Sequence, residues 1–174
     1  MIKKKKILKI GNRIISEFNK PLIIPELGIN HNGSIETAFK IVDAAKRSGA
    51  EIIKHQTHIP HDEMSEEAKK IKPGNSNRNI YDIIKSSSLS EEDEYKLFKY
   101  INRKKMIFLS TPFSKMAVDR LIKFGVKAFK IGSGEMNNYP LMDYIVKFNK
   151  PLIVSTGMHS LKNVKKFVNF LKVK

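Results

Sequence analysis

Two lysines lie within apolar, strand-like runs of this chain, Lys54 in EIIKHQ and Lys130 in KAFKIGSGE. A lysine among isoleucines is costly to bury unless an anion meets it, and the alternative is a side chain that snorkels out of the strand end. In an extended strand Gln56 shares a face with Lys54. The Gly-Ser-Gly that follows Lys130 lets the backbone approach a ligand, and Ser133 offers a hydroxyl. These features together predict a site for a small, doubly charged ligand that carries a phosphate and a carboxylate.

Hydroxyl and carboxylate side chains end the other apolar runs. Thr111 follows MIFLS and Ser155 ends PLIVS, although each such hydroxyl alone is more often a turn or capping residue. Glu26 ends LIIPE, where a carboxylate can serve as an acid, a base or a ligand for a hydroxyl. Glu135 has the same options, or simply braces the loop after the Gly-Ser-Gly. The pattern favours one polar site built from several strand ends.

Three histidines, His55, His58 and His61, are spaced by three residues. On a helix this spacing would suggest a metal site, but here a strand has just ended and Pro60 interrupts the run, so the ligand geometry does not follow. We predict that His55 faces away from Lys54, toward the helices, and that these residues hold no metal. We expect His31 to line the mouth of the site. We expect His159 to lie exposed at the start of the last helix.

Five predicted strands carry these residues, and amphipathic helices separate them. Because the later strands recur every 20–25 residues or so, the pattern is typical of consecutive βα units with a parallel sheet. A β/α barrel builds its active site at the C-terminal ends of such strands. A β-hairpin around Gly11-Asn12 is predicted over residues 6–17, and residues 57–89 form a long connection. The predicted strands span residues 22–26, 51–56, 106–110, 126–131 and 151–155.

The composition limits the class of protein. A chain of 174 residues is long enough for one cored domain but short for a full barrel, which needs about 250. The net charge of +16 comes mostly from lysines, which we interpret as a solvated surface; binding to nucleic acid is the alternative. With no cysteine, there is no disulfide and no thiolate metal site. Since the N-terminal apolar run is too short for a signal or a membrane span, we expect a cytoplasmic protein without membrane or nucleic-acid partners.

The longer motifs resemble a known family. IPELGINHNGSIETAFKIVDAAKRSGAEIIKHQTH, EMSEEAKKIKPGN, LSTPFS, KIGSGEMNNYPL and IVSTGMHS are similar to the bacterial sialic acid synthases, which include N-acetylneuraminate, legionaminate and pseudaminate synthases. The resemblance runs from about residue 20 to residue 174. It implies an α/β fold, an incomplete TIM-type (β/α) barrel of about five βα units preceded by the N-terminal hairpin.

The resemblance also implies a reaction. In this family phosphoenolpyruvate condenses with an N-acylated aminosugar such as N-acetylmannosamine, giving a nine-carbon 2-keto sugar acid and phosphate. A divalent cation, Mn²⁺ or Mg²⁺, polarises the sugar aldehyde. By resemblance, Glu26 handles the attacking water or a sugar hydroxyl. The residues that resemble substrate contacts are Lys54, Thr111, Lys130, Ser133 and Ser155 for phosphoenolpyruvate, and Gln56 and Asn75 for the sugar.

Family members continue beyond the point where this sequence stops. The resemblance places the metal-binding histidines on three later strands and adds a small C-terminal antifreeze-like domain, none of which is in this sequence. We therefore expect a partial synthase barrel domain over residues 1–174, with residues 1–20 as a hairpin extension. Open strand edges predict self-association or completion by a second polypeptide. An inactive remnant that still binds phosphoenolpyruvate is the alternative, and the identity of the aminosugar stays open.

Overall fold

A five-stranded parallel sheet organises the protein. The computed structural model describes residues 7–74 and 76–173, and the strands of this sheet lie side by side in the order of the chain. A separate two-stranded antiparallel hairpin precedes it, with its turn at Gly11 in the left-handed region (φ +56°). The hairpin strands are β1 (Leu8–Ile10) and β2 (Arg13–Ile15); the sheet strands are β3 (Glu26–Gly28), β4 (Ile52–Thr57), β5 (Ile107–Pro112), β6 (Phe129–Ile131) and β7 (Leu152–Val154).

The prediction of the first sheet strand at residues 22–26 is wrong except at its last residue. Pro21 and Pro25 have no backbone N–H to donate to a ladder, and pairing with β4 begins only at Glu26. Residues 22–25 still alternate as a strand would, because Leu22 and Ile24 pack inward while Ile23 is 69% exposed. The hairpin and the other four strands are confirmed, with strand boundaries of the sheet shifted by at most three residues.

Helices cover one face of the sheet, and serine or asparagine side chains cap the N-terminal ends of several of them. Ser34 and Ser90 accept hydrogen bonds from the backbone N–H groups of Thr37 and Asp93, respectively. The helix that starts at Tyr139 is α-helical to Ile145 and continues as a short 3₁₀ turn at Val146–Phe148. The main helices are α1 (Ile35–Arg47), α2 (Pro60–Glu63), α3 (Ile80–Ser87), α4 (Glu91–Arg103), α5 (Lys115–Phe124), α6 (Tyr139–Ile145) and α7 (Leu161–Lys172).

The long connection at residues 57–89 is more ordered than a loop. It contains α2, a 3₁₀ helix at Glu66–Lys70 and α3. Asn79 caps α3 by accepting from the N–H of Asp82, and Ile80 and Ile84 lie one turn apart on the same side of this helix. This segment therefore forms a folded cover beside the ends of β4 and β5.

The two faces of the sheet are buried in different ways. The face under the helices holds the main apolar core, which includes Phe108 and Phe129. On the opposite face a smaller cluster joins Ile10 of the hairpin to Ile52 and Leu109 of the sheet. The hairpin thus closes the N-terminal end of this second face and leaves its C-terminal end for polar side chains. In the described part of the chain no helix has the length and apolar character needed to span a bilayer.

We expect Ile10→Ala to destabilise the protein by about 2–4 kcal/mol, because this fully buried side chain connects the hairpin to the sheet. The matched control is Ile14→Ala in the same hairpin, at a side chain that is 46% exposed, which should cost less than about 1 kcal/mol. Urea unfolding followed by circular dichroism measures both. Equal losses would show that the hairpin does not depend on this contact.

Candidate active site

Parallel strand register brings the predicted polar residues to one end of one sheet face. Glu26 pairs with Lys54, and Gln56 pairs with Thr111 on the next strand. Lys130 pairs with Ile153, two residues before Ser155. Since alternate residues of a strand share a face, these side chains form a polar layer above the apolar cluster that the hairpin covers.

Glu26 and Lys54 form an ion pair at the edge of this layer. The Lys54 Nζ to Glu26 Oε2 distance is 2.5 Å, and the lysine side chain is only 16% exposed while the carboxylate is 45% exposed. Gly28, which has φ +51°, lies so close that a Cβ there would stand 2.9 Å from Glu26 Oε1. The backbone therefore needs glycine at this position for its conformation and for the space beside the carboxylate.

Lys130 lies near this ion pair, and we call the space bounded by Glu26, Lys54, Lys130 and Ser155 the hollow. The Nζ of Lys130 donates hydrogen bonds of 2.6 Å to Ser155 Oγ and to the carbonyl of Ile131. The pKa of Lys130 is lowered, mainly by burial and next by the positive charge of Lys54, while Glu26 acts in the opposite direction. The structure thus brings together two ammonium groups, one carboxylate and one hydroxyl, which is a surplus of positive charge suited to an anion.

The other predicted residues surround this hollow less directly. Thr111 is buried on the face shared with Gln56, whose Oε1 lies 3.1 Å from His58 Nε2. Ser133 begins a 3₁₀ turn after β6, and its carbonyl lies 2.6 Å from His159 Nε2. The expectation that His159 is exposed is therefore wrong, because the ring is drawn back against this turn. Asn75 lies outside the described residues.

Glu135 braces its loop, which is one of the two roles that the sequence suggests for it. Its Oε2 accepts a hydrogen bond of 2.9 Å from Asn138 Nδ2, and Asn138 in turn caps α6. This contact fixes the carboxylate near the C-terminal end of β6. It leaves Glu135 without an ion pair among residues 7–74 and 76–173.

A buried polar network supports β4 from behind, on its helix-facing side. The central residue is Glu94 of α4, only 1% exposed, which accepts from Thr57 Oγ1 and from Arg120 Nη1. His55 Nδ1 lies 3.3 Å from Glu94 Oε1, so His55 faces the helices as predicted. Burial alone would raise the pKa of Glu94, but the hydrogen bonds from His55, Thr57 and Arg120 outweigh it and the pKa is lowered.

Sequence reasoning missed Glu94, although a signal for it exists. Its position in the first turn of α4 suits the helix dipole, and that role explains it without any buried contact. However, Glu94 stands on the same helical face as Leu97 and Ile101, both fully buried. An acidic residue on the apolar face of an amphipathic helix indicates a buried partner.

His31 is also placed differently from its prediction, because it is buried rather than lining the mouth. It is 1% exposed, its ring stacks on that of His55 with centroids 5.4 Å apart, and its Nδ1 accepts from the N–H of Gly33. Burial, followed by the charge of His55, lowers the pKa of His31 from 6.5 to about 4. This histidine is therefore a neutral part of the scaffold at physiological pH.

The described residues do not fit the divalent metal that the family resemblance implies. No group of three or more His, Cys, Asp or Glu side chains lies in positions that could hold a metal ion within residues 7–74 and 76–173. The carboxylate nearest the hollow, Glu26, is paired with Lys54. The described residues therefore supply no ligand set through which a metal could take part in the reaction.

We expect the free energy of unfolding to fall as the pH is lowered from 6.5 toward 4. In this range the unfolded chain binds a proton at His31, whereas the folded protein does not. His31→Asn, which keeps a hydrogen-bond acceptor, should remove up to about 1.4 kcal/mol per pH unit of this slope. The matched control is His61→Asn at an exposed histidine. Urea titrations at several pH values measure the slope, and an unchanged slope in the His31 variant would contradict the assignment.

Comparison with known proteins places this chain in a family. Residues 41–174 match the sequence profile of the NeuB family. The chain is 39% identical to the N,N'-diacetyllegionaminic acid synthase of Legionella pneumophila over 156 residues, covering 86% of this chain and 43% of that protein. It is 35% identical to the pseudaminic acid synthase of Campylobacter jejuni serotype O:2 over 170 residues, covering 95% and 49%.

A solved structure agrees with the fold. The crystal structure of N-acetylneuraminic acid (sialic acid) synthetase from Leptospira borgpetersenii serovar Hardjo-bovis superposes with a TM-score of 0.83 at 24% identity, covering 97% of this chain and 56% of that one. At this identity the likeness shows the fold alone. The chain spans about half the length of the curated relatives it matches. Because the profile covers most of its residues, the chain belongs to the NeuB family.

Proposed function

We propose that this chain binds phosphoenolpyruvate for condensation with an N-acylated aminosugar, giving a nine-carbon 2-keto sugar acid of the sialic acid type and phosphate. One observation carries the proposal: Lys54 and Lys130 reach into one hollow together with Glu26 and Ser155. The similarity of the chain to legionaminic and pseudaminic acid synthases supports the same reaction.

Charge balance explains why such a hollow suits this substrate. Phosphoenolpyruvate carries a phosphate and a carboxylate on three carbons, so it offers two anionic groups a short distance apart. Each ammonium group can bind one of them with charge-assisted hydrogen bonds, and Ser155 can supply a further donor. Burial and next the charge of Lys54 lower the pKa of Lys130, and an anion between the lysines would relieve the part that comes from their repulsion. Loss of this repulsion therefore favours binding.

The proposed reaction gives Glu26 a role in moving a proton. The methylene carbon of phosphoenolpyruvate forms a bond to the aldehyde carbon of the open-chain sugar, and the aldehyde oxygen takes up a proton. Water then adds to the cationic carbon that bears the phosphate, loses a proton, and the tetrahedral intermediate expels phosphate. The ion pair with Lys54 holds the carboxylate of Glu26 at the edge of the hollow, where it can accept the proton of the water or hold a sugar hydroxyl.

A second function, binding of phosphoenolpyruvate without turnover, is favoured by a different observation. The described residues present no metal-ligand cluster, and the matched relatives are about twice as long. A family member that polarises the aldehyde with a metal would need residues beyond those described here, supplied by more chain or by a partner. The two functions share the same hollow and differ only in whether phosphate is released.

Lys130→Met should weaken phosphoenolpyruvate binding by about 10- to 100-fold, because it removes a partly buried charge-assisted donor. Lys123→Met is the matched control, since that side chain is 72% exposed on α5, and its affinity should not change. Isothermal titration calorimetry measures both. Phosphate release in the presence of Mn²⁺, phosphoenolpyruvate and N-acetylmannosamine would establish the synthase, whereas binding alone would favour the second function. Absence of phosphoenolpyruvate binding to the unsubstituted chain would contradict both.

The same substitution should raise the melting temperature of the ligand-free protein by roughly 1–4 °C. The reason is that the folded state disfavours the charged form of Lys130 at neutral pH, and methionine removes this charge while keeping an apolar stem. The carbonyl of Ile131 retains a partner, because the N–H of Ser155 also donates to it. Differential scanning calorimetry tests this, and a lower melting temperature would show that the lysine stabilises the fold instead.

A further inference from the structure

A cavity of about 970 Å³ lies at the opposite end of the sheet from the hollow. It is bordered by the hairpin turn at Gly11, by the start of β5, by the residues just before β6, and by the C-terminal ends of α4 and α5. Its volume is at the upper end of the range of small-molecule sites, about 300–1,000 Å³. Glu51, which lines the cavity, precedes Lys54 by three residues, so roughly 10 Å of strand separates the two spaces.

The floor of this cavity is apolar and largely aromatic. Phe98 of α4 lies with its ring centroid 5.7 Å from that of Phe108, edge to face, and 5.7 Å from that of Phe124. Met106, which is 3% exposed, and Val126 continue the same surface. Aromatic rings and a thioether make favourable contacts with a flat apolar group. The floor therefore suits a ring system rather than a small hydrophilic molecule.

The rim of the cavity carries a surplus of positive charge. Its charged residues are Arg13, Lys105, Lys127 and one acid, Glu51. The Arg13 Nε lies 3.4 Å from Glu51 Oε1, and Arg13 Nη2 donates to the carbonyl of Lys20, so these two charges balance each other. Neither lysine of the rim has an ion-pair partner in the described part of the chain. Two ammonium groups beside an apolar floor are the arrangement that an organic anion requires.

The backbone of Lys105 gives an independent indication. This residue ends the turn from α4 to β5 with φ +56°, a left-handed conformation that costs energy for any residue with a Cβ. The corresponding turns after α1 and α5 use Gly49 (φ +84°) and Gly125 (φ +83°). Glycine would therefore serve the fold better at this position. A ligand for the ammonium group at the cavity rim would account for the lysine.

We propose that this cavity is a second ligand site, which binds an organic anion made of one anionic group attached to a flat apolar ring system. The rings lie on the aromatic floor, and the ammonium groups of Lys105 and Lys127 hold the anionic group. The proposal goes beyond the proposed function and does not depend on it, because the cavity and the hollow share no residue.

The test uses three matched probes on the unsubstituted chain. These are 2-naphthoate, its uncharged analogue 2-naphthamide, and acetate, which has the charge without the rings. Isothermal titration calorimetry should show 2-naphthoate binding about 10-fold more tightly than 2-naphthamide, because the amide loses the charge-assisted contacts. Acetate should bind at least about 100-fold more weakly than 2-naphthoate, because it buries no ring surface. Added NaCl should weaken the binding of 2-naphthoate and leave that of 2-naphthamide unchanged.

Substitutions and methyl NMR locate the binding. Lys105→Gly should weaken 2-naphthoate by about 3- to 10-fold without lowering the melting temperature, since glycine suits the left-handed conformation. Lys127→Met, which keeps an apolar stem, should weaken it similarly. Lys123→Met is the matched control on α5, at a side chain that does not line the cavity, and should have no effect. The methyl signal of Ile107 should shift with 2-naphthoate, whereas that of Ile153, beside Lys130 in the sheet, should not.

Three results would overturn the proposal. The first is equal affinity for 2-naphthoate and 2-naphthamide, which would show that the rim charges bind nothing. The second is undiminished binding of 2-naphthoate by both the Lys105 and the Lys127 variants, and the third is a shift of Ile153 without one of Ile107. Failure to bind phosphoenolpyruvate bears only on the proposed function, because none of these measurements contains it.

Discussion

The placement of two ammonium groups beside a single carboxylate is the constraint on which the candidate site depends. Burial, and next the positive charge of Lys54, disfavour the charged form of Lys130. The two lysines stay together because Glu26 pairs with Lys54 and Ser155 with Lys130, and because they lie on β4 and β6, which flank β5 in one parallel sheet. The site therefore carries a surplus of positive charge, which is the arrangement that the proposed binding of an anion requires.

The strand β4 joins this site to its support. Lys54 and Gln56 face the hollow, whereas His55 and Thr57 face a buried network centred on Glu94. Because the side-chain period of a strand is two residues, a register slip of one residue would exchange the two sets. It would place lysine against the core and histidine in the site. By binding His55 and Thr57, the buried carboxylate of Glu94 fixes the register of β4 and therefore the position of Lys54 on the other face.

Local patterns predicted most of the elements, and contacts between distant residues account for the rest. The apolar runs identified β4 to β7, and the capping residues identified the starts of α1 and α4. The first strand was misplaced because its prolines cannot pair, although its alternation is real. His31 was misassigned and Glu94 was missed because their partners lie on other elements, and for Glu94 the signal in the sequence is its place on the apolar face of α4. His159 turned inward for the same reason, through a contact with the turn after β6. Most site residues could be named from the sequence because they lie at or just after the end of a predicted strand. The distances between their side chains could not be predicted.

The sheet strands lie side by side in the order of synthesis, so each new βα unit can dock on the one before it as the chain leaves the ribosome. The amino-terminal hairpin breaks this order. It is made first, yet the residues it covers, from Ile52 through Leu109 to Ala128, come from strands made much later. Its apolar side chains stay exposed until those strands have been made, and the nascent chain gains the closed end of its fold only when the fourth sheet strand has been synthesised.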